Sequence, residues 1–349
     1  MSKPKIGFYW CASCGGCEES LVDIAEAILD VAELVDFAIW PVAMDFKRAD
    51  VEKLADGEIV ATMINGAVRT SEQEEMARLL RQKSQVIIAY GSCAYEGGIP
   101  ALSNLFPREQ IMRYVYHDAP SVQNPEGIEP QTEFHEEGRV ATLPEFRSVV
   151  RALDQVVDVD YYMPGCAPNP ELVLSAVKTL LSGELPPKGS VLAPDVAQCD
   201  GCPRRDTKPA DLKIDKFRRT PWNKIDPEVC ILAQGFACLG PATRSGCGER
   251  CIRGNMPCTG CFGPLGNVRD HGAKMLAALT SLLDAKEEEE IEEALEGIPD
   301  PAGTFYRYGM AHSMLRRKAG LPEVSGTGRQ VPRTDALPPT IAPVPTGVK

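Results

Sequence analysis

The chain has 349 residues, of which 44% are hydrophobic and 25% are charged, a composition typical of a globular protein with two or three domains. Its net charge of −12 argues against a nucleic-acid-binding protein, and no apolar run approaches the length of a membrane span. The N-terminus shows neither a signal-peptide core nor a twin-arginine leader, so we expect a cytoplasmic protein. In a reducing compartment, its 13 cysteines are expected to bind metal rather than to form disulfides.

Strand and helix patterns alternate through the first half of the chain, which predicts an α/β fold with a parallel sheet. Polar residues rich in Pro and Gly at 118–144 predict a long loop. Ser71 and Glu74 form a capping-box pattern, and Asn169 can cap a helix that starts at Pro170. The predicted strands are Lys5–Trp10, Val35–Trp40, Ile59–Ile64, Val86–Tyr90 and Val157–Met163, and the predicted helices are 18–32, 71–83 and 170–182.

Four cysteines follow the ends of predicted strands. Cys14 and Cys17 follow the first strand, Cys93 follows the fourth and Cys166 follows the fifth. In an open α/β sheet, ligands bind at the carboxyl ends of the strands, so we expect these thiols to converge. The glycines beside them would let the backbone approach a bulky inorganic cluster. Cys11 lies at the strand end itself, and we expect it to be the one cysteine that does not bind a cluster. The alternative to metal binding is that single cysteines such as Cys93 are buried apolar residues.

Eight further cysteines lie in a stretch that is rich in Gly and Pro and poor in apolar runs. Such a stretch has little with which to build its own core, so its thiols predict metal binding, with zinc and iron–sulfur clusters both left open. The spacing is poor for a zinc ribbon, and twelve cysteines in all would suffice for three four-cysteine clusters. These eight residues are Cys199, Cys202, Cys230, Cys238, Cys247, Cys251, Cys258 and Cys261.

The remaining charged motifs have a functional and a plain structural interpretation. A basic stretch between Cys202 and Cys230 could dock an acidic partner, although most charge runs are solvated loops. Glu18 and Glu19 could serve in proton movement, but acids at a helix start are also favoured by the helix dipole. The four histidines (His117, His135, His271 and His312) lack partners at ligand spacing and are expected on the surface or in the core. No hydrolytic or nucleophilic motif is present, so we expect no catalytic residue.

The cysteine motifs resemble the small subunit of nickel–iron hydrogenases over roughly residues 3 to 285. The resemblance is carried by Cys14-Gly-Gly-Cys17-Glu-Glu-Ser20, Gly91-Ser-Cys93, Pro164-Gly-Cys166-Ala-Pro-Asn-Pro170 and Met256-Pro-Cys258, followed by Cys261-Phe-Gly-Pro264. It is greatest for the cytoplasmic F420-non-reducing type, also called methyl-viologen-reducing. The resemblance implies a flavodoxin-like parallel sheet domain, followed by a small irregular iron–sulfur domain and C-terminal helices.

The resemblance also implies which cysteines hold each of three 4Fe–4S clusters. Cys14, Cys17, Cys93 and Cys166 would hold the proximal cluster; Cys247, Cys251, Cys258 and Cys261 the medial one; and Cys199, Cys202, Cys230 and Cys238 the distal one. Periplasmic members of the family have His at the position of Cys199. They have Pro at the position of Cys251, which leaves their medial cluster with three irons. Because both positions are Cys here, we expect four-iron clusters at both sites.

The implied role is electron transfer from H2 oxidation at a nickel–iron centre in a separate large subunit. The acceptor would be an iron–sulfur or flavin subunit, such as one of a heterodisulfide reductase complex. The expected domains are 1–183 with the proximal cluster, 184–268 with the other two, C-terminal helices at 269–321 and a Pro-rich tail at 322–349, disordered on its own. The helices expected there are 271–283, 286–297 and 307–319. Alternatives are a complex I-like iron–sulfur subunit, a scaffold held by structural zinc, and a free ferredoxin-like carrier.

Overall fold

A computed structural model of the chain describes residues 3–316, and its central feature is a sheet of six parallel strands. Four more strands of the described residues form two separate two-stranded sheets, β4 with β8 and β6 with β7. In chain order the strands are β1 (Lys5–Trp10), β2 (Asp36–Ile39), β3 (Ile59–Asn65), β4 (Val68–Thr70), β5 (Ser84–Tyr90), β6 (Glu133–Glu136), β7 (Arg139–Thr142), β8 (Phe146–Arg151), β9 (Tyr161–Met163) and β10 (Ser190–Val191). The order across the large sheet is β10-β9-β5-β3-β1-β2. Without the short edge strand β10, this is the 2-1-3-4-5 order of flavodoxin-like folds, as predicted.

The register of the sheet aligns the ends of four neighbouring strands. Trp10 lies opposite Asn65, Asn65 opposite Tyr90, and Tyr90 opposite Met163. Each of these residues is the last of its strand. The loops that follow β1, β3, β5 and β9 therefore leave the sheet at one level, and three of them carry cysteines.

Helices cover both faces of the sheet, as expected for parallel strands. They are α1 (Gly16–Val22), α2 (Ala27–Leu34), α3 (Arg48–Glu52), α4 (Ser71–Lys83), α5 (Ser92–Glu96), α6 (Arg108–Arg113), α7 (Pro170–Ser182), α8 (Arg250–Arg253), α9 (His271–Thr280), α10 (Glu288–Leu295) and α11 (Pro301–Phe305). Successive residues of β1 point to opposite faces. Phe8 thus packs in the core with Leu21 of α1 and Val173 of α7, and Tyr9 in the core with Leu80 of α4.

Several local predictions for the sheet region need correction. The helix expected at 18–32 is two helices, because Ala25 between them adopts a positive φ of 54°. The loop expected at 118–144 contains the antiparallel hairpin β6–β7, and β8, just after it, pairs with β4. The α4 capping box is formed by Thr70 and Gln73, one residue before the predicted pair. Asn169 does occupy the N-cap of α7, but its amide donates to Glu171 instead of capping the helix.

The cysteine-rich stretch has sparse regular structure, mostly short 3-10 turns and the four-residue α8. The expectation that it has little with which to build its own core is wrong. Phe217, Phe236 and Ile252 are buried together with Met275 and Leu279 of α9. Widely spaced apolar residues, each adjacent to turns, meet here only through tertiary packing. The stretch also packs against the sheet, because Phe262 joins the apolar cluster that contains Phe8.

The C-terminal region follows the prediction for two of three helices. α9 and α10 fall within the predicted ranges, whereas the described part of the helix expected at 307–319 forms 3-10 turns at Met310–His312 and Met314–Arg316. The end of that range and the predicted tail at 322–349 lie outside the described residues. Among residues 3–316, no helix is long and apolar enough to cross a bilayer.

Candidate metal centres

Four cysteines meet at the aligned strand ends, and we call them the proximal group (Cys14, Cys17, Cys93 and Cys166). Hydrogen bonds join the loops after β5 and β9: the Gly91 N–H donates to Met163 O at 2.8 Å, and the Ser92 N–H to Gly165 O at 2.8 Å. Burial raises the pKa of Cys17, and the other three thiols of the group raise it further. The four thiols are therefore close enough to interact electrostatically, as the strand-end argument predicted.

Glycines beside the proximal group leave room for its cysteine sulfurs. Gly91 has a φ of 84°, which favours glycine, and a Cβ at this position would collide with the sulfur of Cys17. A Cβ at Gly98, with a φ of 55°, would lie 2.5 Å from the sulfur of Cys93. The Gly16 N–H points to the sulfur of Cys14 at 3.4 Å. The backbone thus comes close to the thiols and can donate hydrogen bonds to them.

Cys11 lies apart from the proximal group. It is 5% exposed and packs in the apolar cluster on the other face of the sheet, with Tyr9, Ile39 and Ile64. Burial raises its pKa to about 12. A thiol in such surroundings behaves as a small apolar residue.

A second set of cysteines forms the distal group (Cys199, Cys202, Cys230 and Cys238). Burial raises the pKa of Cys199 to about 12; nearby Cys238 contributes most among the thiols, and Cys202 and Cys230 add to it. A Cβ on Gly240 would lie 3.2 Å from the sulfur of Cys199. Residues from three separate loops are thus brought together around one point.

The third set, the medial group (Cys247, Cys251, Cys258 and Cys261), lines one small, partly open cavity. Burial raises the pKa of Cys261 to about 12, and Cys247 and Cys251 contribute to the increase. The other lining residues are Gln198, Thr243, Glu249, Ile252, Thr259 and Phe262. The cavity is bounded by four thiols together with a small number of polar side chains.

The medial group lies between the other two. The Cys258 N–H donates to the sulfur of Cys238 in the distal group at 3.4 Å. On the other side, the Ser92 hydroxyl, next to Cys93 of the proximal group, donates to Cys261 O at 2.5 Å. The backbone N–H of Cys166 also reaches the Cys261 sulfur and lowers its pKa, opposing burial, while the Cys166 thiol raises it by a smaller amount. The three groups therefore form the sequence proximal, medial, distal.

The donor sets fit iron–sulfur clusters by type and number. Each group offers four cysteines, the usual ligand set of a 4Fe–4S cluster, and all 13 cysteines are free of disulfides. Burial favours the neutral thiol, so a bound metal would have to displace the protons. Over the described part of the chain, no three His, Cys, Asp or Glu side chains are placed to hold a single metal ion.

Two side chains at these sites were not identified from the sequence. Gln198 is 1% exposed; its carbonyl accepts from the Cys247 thiol at 3.4 Å, and its amide donates to Glu249 at 3.2 Å. Arg204, within the basic stretch, is 6% exposed. Its guanidinium donates to the backbone carbonyls of Asp226, Val229 and Ile252 and to the Asn255 side chain, at 2.9 to 3.5 Å. Nothing in the sequence separates Arg204 from the exposed Arg205.

The acids and histidines have structural surroundings that the sequence left open. Glu18 is buried and accepts hydrogen bonds from Trp40 Nε1 and Asn65 Nδ2, each at 2.6 Å, whereas Glu19 is exposed. Burial raises the pKa of Glu18, and the two hydrogen bonds oppose the increase. His271 and His312 lie in the interior, whereas His117 and His135 contact exposed glutamates.

Known proteins resemble this chain in sequence over nearly its whole length. The family described as NADH ubiquinone oxidoreductase, 20 Kd subunit, matches residues 14–180. The iron-sulfur subunit of the F420-non-reducing hydrogenase of Archaeoglobus profundus is 35% identical over 317 residues, 90% of this chain and 98% of the relative. A subunit of the F420-non-reducing hydrogenase of Methanothermobacter thermautotrophicus is 36% identical over 320 residues, 90% of this chain and 97% of the relative.

Solved structures of hydrogenases are also similar. A chain of the NAD+-reducing [NiFe]-hydrogenase in the H2-reduced state is 29% identical with a TM-score of 0.44, covering 52% of this chain and 92% of that one. A chain of the [NiFeSe] hydrogenase from Desulfovibrio vulgaris Hildenborough is 19% identical with a TM-score of 0.49, covering 76% and 94%.

The sequence relatives establish the family, because they exceed 30% identity over almost their full length. The resemblance seen in the cysteine motifs is thereby confirmed. The protein is one subunit of an oxidoreductase complex whose catalytic centre lies in a partner large subunit. This chain belongs to the nickel–iron hydrogenase small subunits, in the family of the F420-non-reducing hydrogenases.

Proposed function

We propose that this chain conducts electrons from the nickel–iron centre of a large partner subunit to a redox partner, through three 4Fe–4S clusters. The clusters would supply one-electron redox chemistry when bound. The proposed ligands are the proximal group (Cys14, Cys17, Cys93 and Cys166), the medial group (Cys247, Cys251, Cys258 and Cys261) and the distal group (Cys199, Cys202, Cys230 and Cys238).

The observation that carries the proposal is that the medial group contacts both of the other cysteine groups. Cys258 contacts the distal group through its N–H bond to Cys238, and Cys261 contacts the proximal loop through Ser92. Electron transfer between buried centres requires that neighbouring centres be close together. Three groups with direct contacts between neighbours meet that requirement, whereas an unrelated set of structural sites would not need to do so.

The chain's own residues would bind the clusters, exclude water and adjust their potentials. Burial and hydrogen bonds to the sulfurs are the means by which proteins do this. The Cys258 N–H is directed at the sulfur of Cys238, and the Gly16 N–H at that of Cys14, each at 3.4 Å.

We further propose the organisation that the family resemblance implies. Residues 1–183 would carry the proximal cluster, 184–268 the medial and distal clusters, and 269–321 the C-terminal helices. The acceptor would be an iron–sulfur or flavin subunit, such as one of a heterodisulfide reductase complex, in the cytoplasm.

The test is the content of iron, sulfide, nickel and zinc in the anaerobically purified complex. Three clusters require about twelve iron atoms per small chain, beyond any in partner subunits, with nickel in the large subunit. About four iron atoms would mean that only one of the three proposed clusters is bound. Zinc with little iron would contradict the clusters altogether and indicate a zinc-stabilised scaffold.

Two cysteine variants test the assignment directly. Cys17→Ala should remove about four iron atoms, one cluster's worth, and abolish H2-dependent dye reduction. Cys11→Ala is the matched control, because Cys11 lies close by in the sequence but packs in the apolar core. It should leave the iron content unchanged. Persistent activity in the Cys17 variant, or iron loss in the Cys11 variant, would mean that the proximal ligands are assigned wrongly.

A further inference from the structure

A positively charged loop stands out on this acidic protein. Residues 208–224, here called the basic loop, contain six Lys and Arg residues against two Asp, a net charge of +4 in a chain whose total is −12. A local charge opposite to that of the whole molecule creates a distinct field over one part of the surface. The loop was open to two interpretations from the sequence, as a docking patch or as a solvated loop.

Most of the cations in the basic loop have no carboxylate partner. Lys216 contacts Glu293 and Glu296 of α10, each at 3.1 Å. The other five are exposed and form no ion pair with any residue in the 3–316 range. These five are Lys208, Lys213, Arg218, Arg219 and Lys224. Their charge is therefore available to another molecule.

An exposed tryptophan lies among these cations. The Trp222 side chain is exposed, with 76% of the residue accessible, and its backbone N–H donates to Arg219 O at 3.2 Å, which closes a turn. The Asn223 amide donates to the same carbonyl at 2.9 Å. Trp and Arg are the residues most enriched among the energetic centres of protein interfaces. Phe217, within the loop, and Ile225, directly after it, are both buried, so the exposed residues between them are anchored to the core on both sides.

The basic loop lies against the distal group. The Arg218 N–H donates to Gly235 O at 2.8 Å, and Arg218 forms a β-bridge with Phe236, between Cys230 and Cys238. At its other end, Lys208 is close enough to Cys199 to oppose the effect of burial, which raises the pKa of that thiol to about 12. A molecule bound to this loop would lie beside the last cysteine group in the proposed electron path.

We propose that the basic loop is the docking face for the electron acceptor, and that the acceptor presents an acidic surface near its redox centre. This inference rests on the proposed function and specifies the chemistry of its partner. The five unpaired cations would attract the acidic surface, and Trp222 would fill an apolar depression on it. The acidic helix α10 borders the loop through Lys216, so it would repel the same partner on one side and fix its orientation.

The experiment uses the intact complex, with an acidic two-cluster ferredoxin as the probe acceptor. For the wild type, kcat/KM for H2-dependent ferredoxin reduction should fall as salt is added. The variant K213E/R219E/K224E should lower kcat/KM at least tenfold and reverse or abolish the salt dependence. The matched control K47E/R139E/K178E makes the same change in net charge at exposed positions of the sheet region and should behave as wild type.

A second variant keeps the charge unchanged. Trp222→Ala should lower kcat/KM for ferredoxin about fivefold while leaving the salt dependence intact. In all variants, iron content and H2-dependent reduction of a saturating small dye should match the wild type. Unchanged ferredoxin kinetics in both loop variants, with dye reduction intact, would overturn the docking face alone. A wild-type complex with little iron and no dye reduction would instead overturn the proposed function, and this inference with it.

Discussion

The proximal group and the cysteine-rich stretch bring thiols together in different ways. At the proximal group, hydrogen-bonded parallel strands end at one level, and the thiols follow within a few residues of those ends. In the cysteine-rich stretch, the thiols lie on loops and short turns that no sheet aligns. The first arrangement is set by backbone pairing, which does not require metal. The second depends on side chains, and therefore should depend more on what the thiols bind.

In the cysteine-rich stretch, buried polar side chains hold distant segments together, as strand pairing does at the proximal group. Arg204 joins the carbonyls of Val229 and Ile252, which directly precede Cys230 and follow Cys251. Arg244 is 3% exposed and forms an ion pair with Asp195 at 2.8 Å. These contacts are few, and each connects segments that are distant in sequence. Losing one of them should disturb several loops at once.

Removal of iron should produce the largest difference in stability between the cysteine-rich stretch and the sheet. Binding free energy at metal sites contributes to folding where the site is not otherwise formed. In complex stripped of iron, amides between Cys199 and Cys261 should exchange hydrogen at least a hundredfold faster, whereas those of β3 and β5 should change little. Hydrogen exchange measured by mass spectrometry would check this. Equal loss of protection in both regions would contradict the comparison, because the sheet would then need metal as well.

Replacement of Arg204 should have the next largest effect. Arg204→Leu removes four hydrogen bonds from a buried guanidinium that joins separate loops, at a cost of about 3 kcal/mol in the free energy of unfolding. Its neighbour Arg205 is 61% exposed, so Arg205→Leu is the control and should cost less than about 0.5 kcal/mol. Thermal unfolding of the purified complex measures both. Equal effects of the two substitutions would show that the guanidinium does not hold the loops together.

The sheet region should respond to pH through His312. Its Nε2 lies 2.8 Å from Asp154 and its Nδ1 3.2 Å from Glu96, at the end of the helix that carries Cys93. Tyr162 donates to the other oxygen of Asp154 at 3.2 Å. Burial alone would lower the pKa of His312, but the two carboxylates outweigh it and raise the pKa to about 10.

The raised pKa fixes the sign of the effect. The charged imidazole contributes to stability fully below its unfolded pKa of about 6.5, and the contribution is lost as pH rises through about 10. His312→Gln should therefore cost on the order of 2 kcal/mol in unfolding free energy at pH 6, and much less above pH 10. His135→Gln, at an exposed position, is the control. A cost that stays constant between pH 6 and pH 10 would mean that the charge of His312 contributes nothing.

Predictions from the sequence succeeded where a local pattern is enough to decide the structure. The alternation of apolar strands and amphipathic helices predicted the sheet, and the same pattern located Cys14, Cys93 and Cys166 at strand ends. The prediction failed at Ala25, because a single residue with positive φ interrupts an otherwise regular helical pattern. It also failed for the hairpin β6–β7, whose strands are short and exposed on both faces and so lack alternation.

The sequence by itself determined the fold class, the number and type of the candidate ligands, and the family. These properties follow from residue identities and from periodic patterns over short distances. Only the tertiary structure decided that Arg204 is buried while Arg205 is exposed, and that the basic loop lies beside the distal group. Each of these depends on contacts between segments that are distant along the chain, and loops without periodicity carry no signal for such contacts.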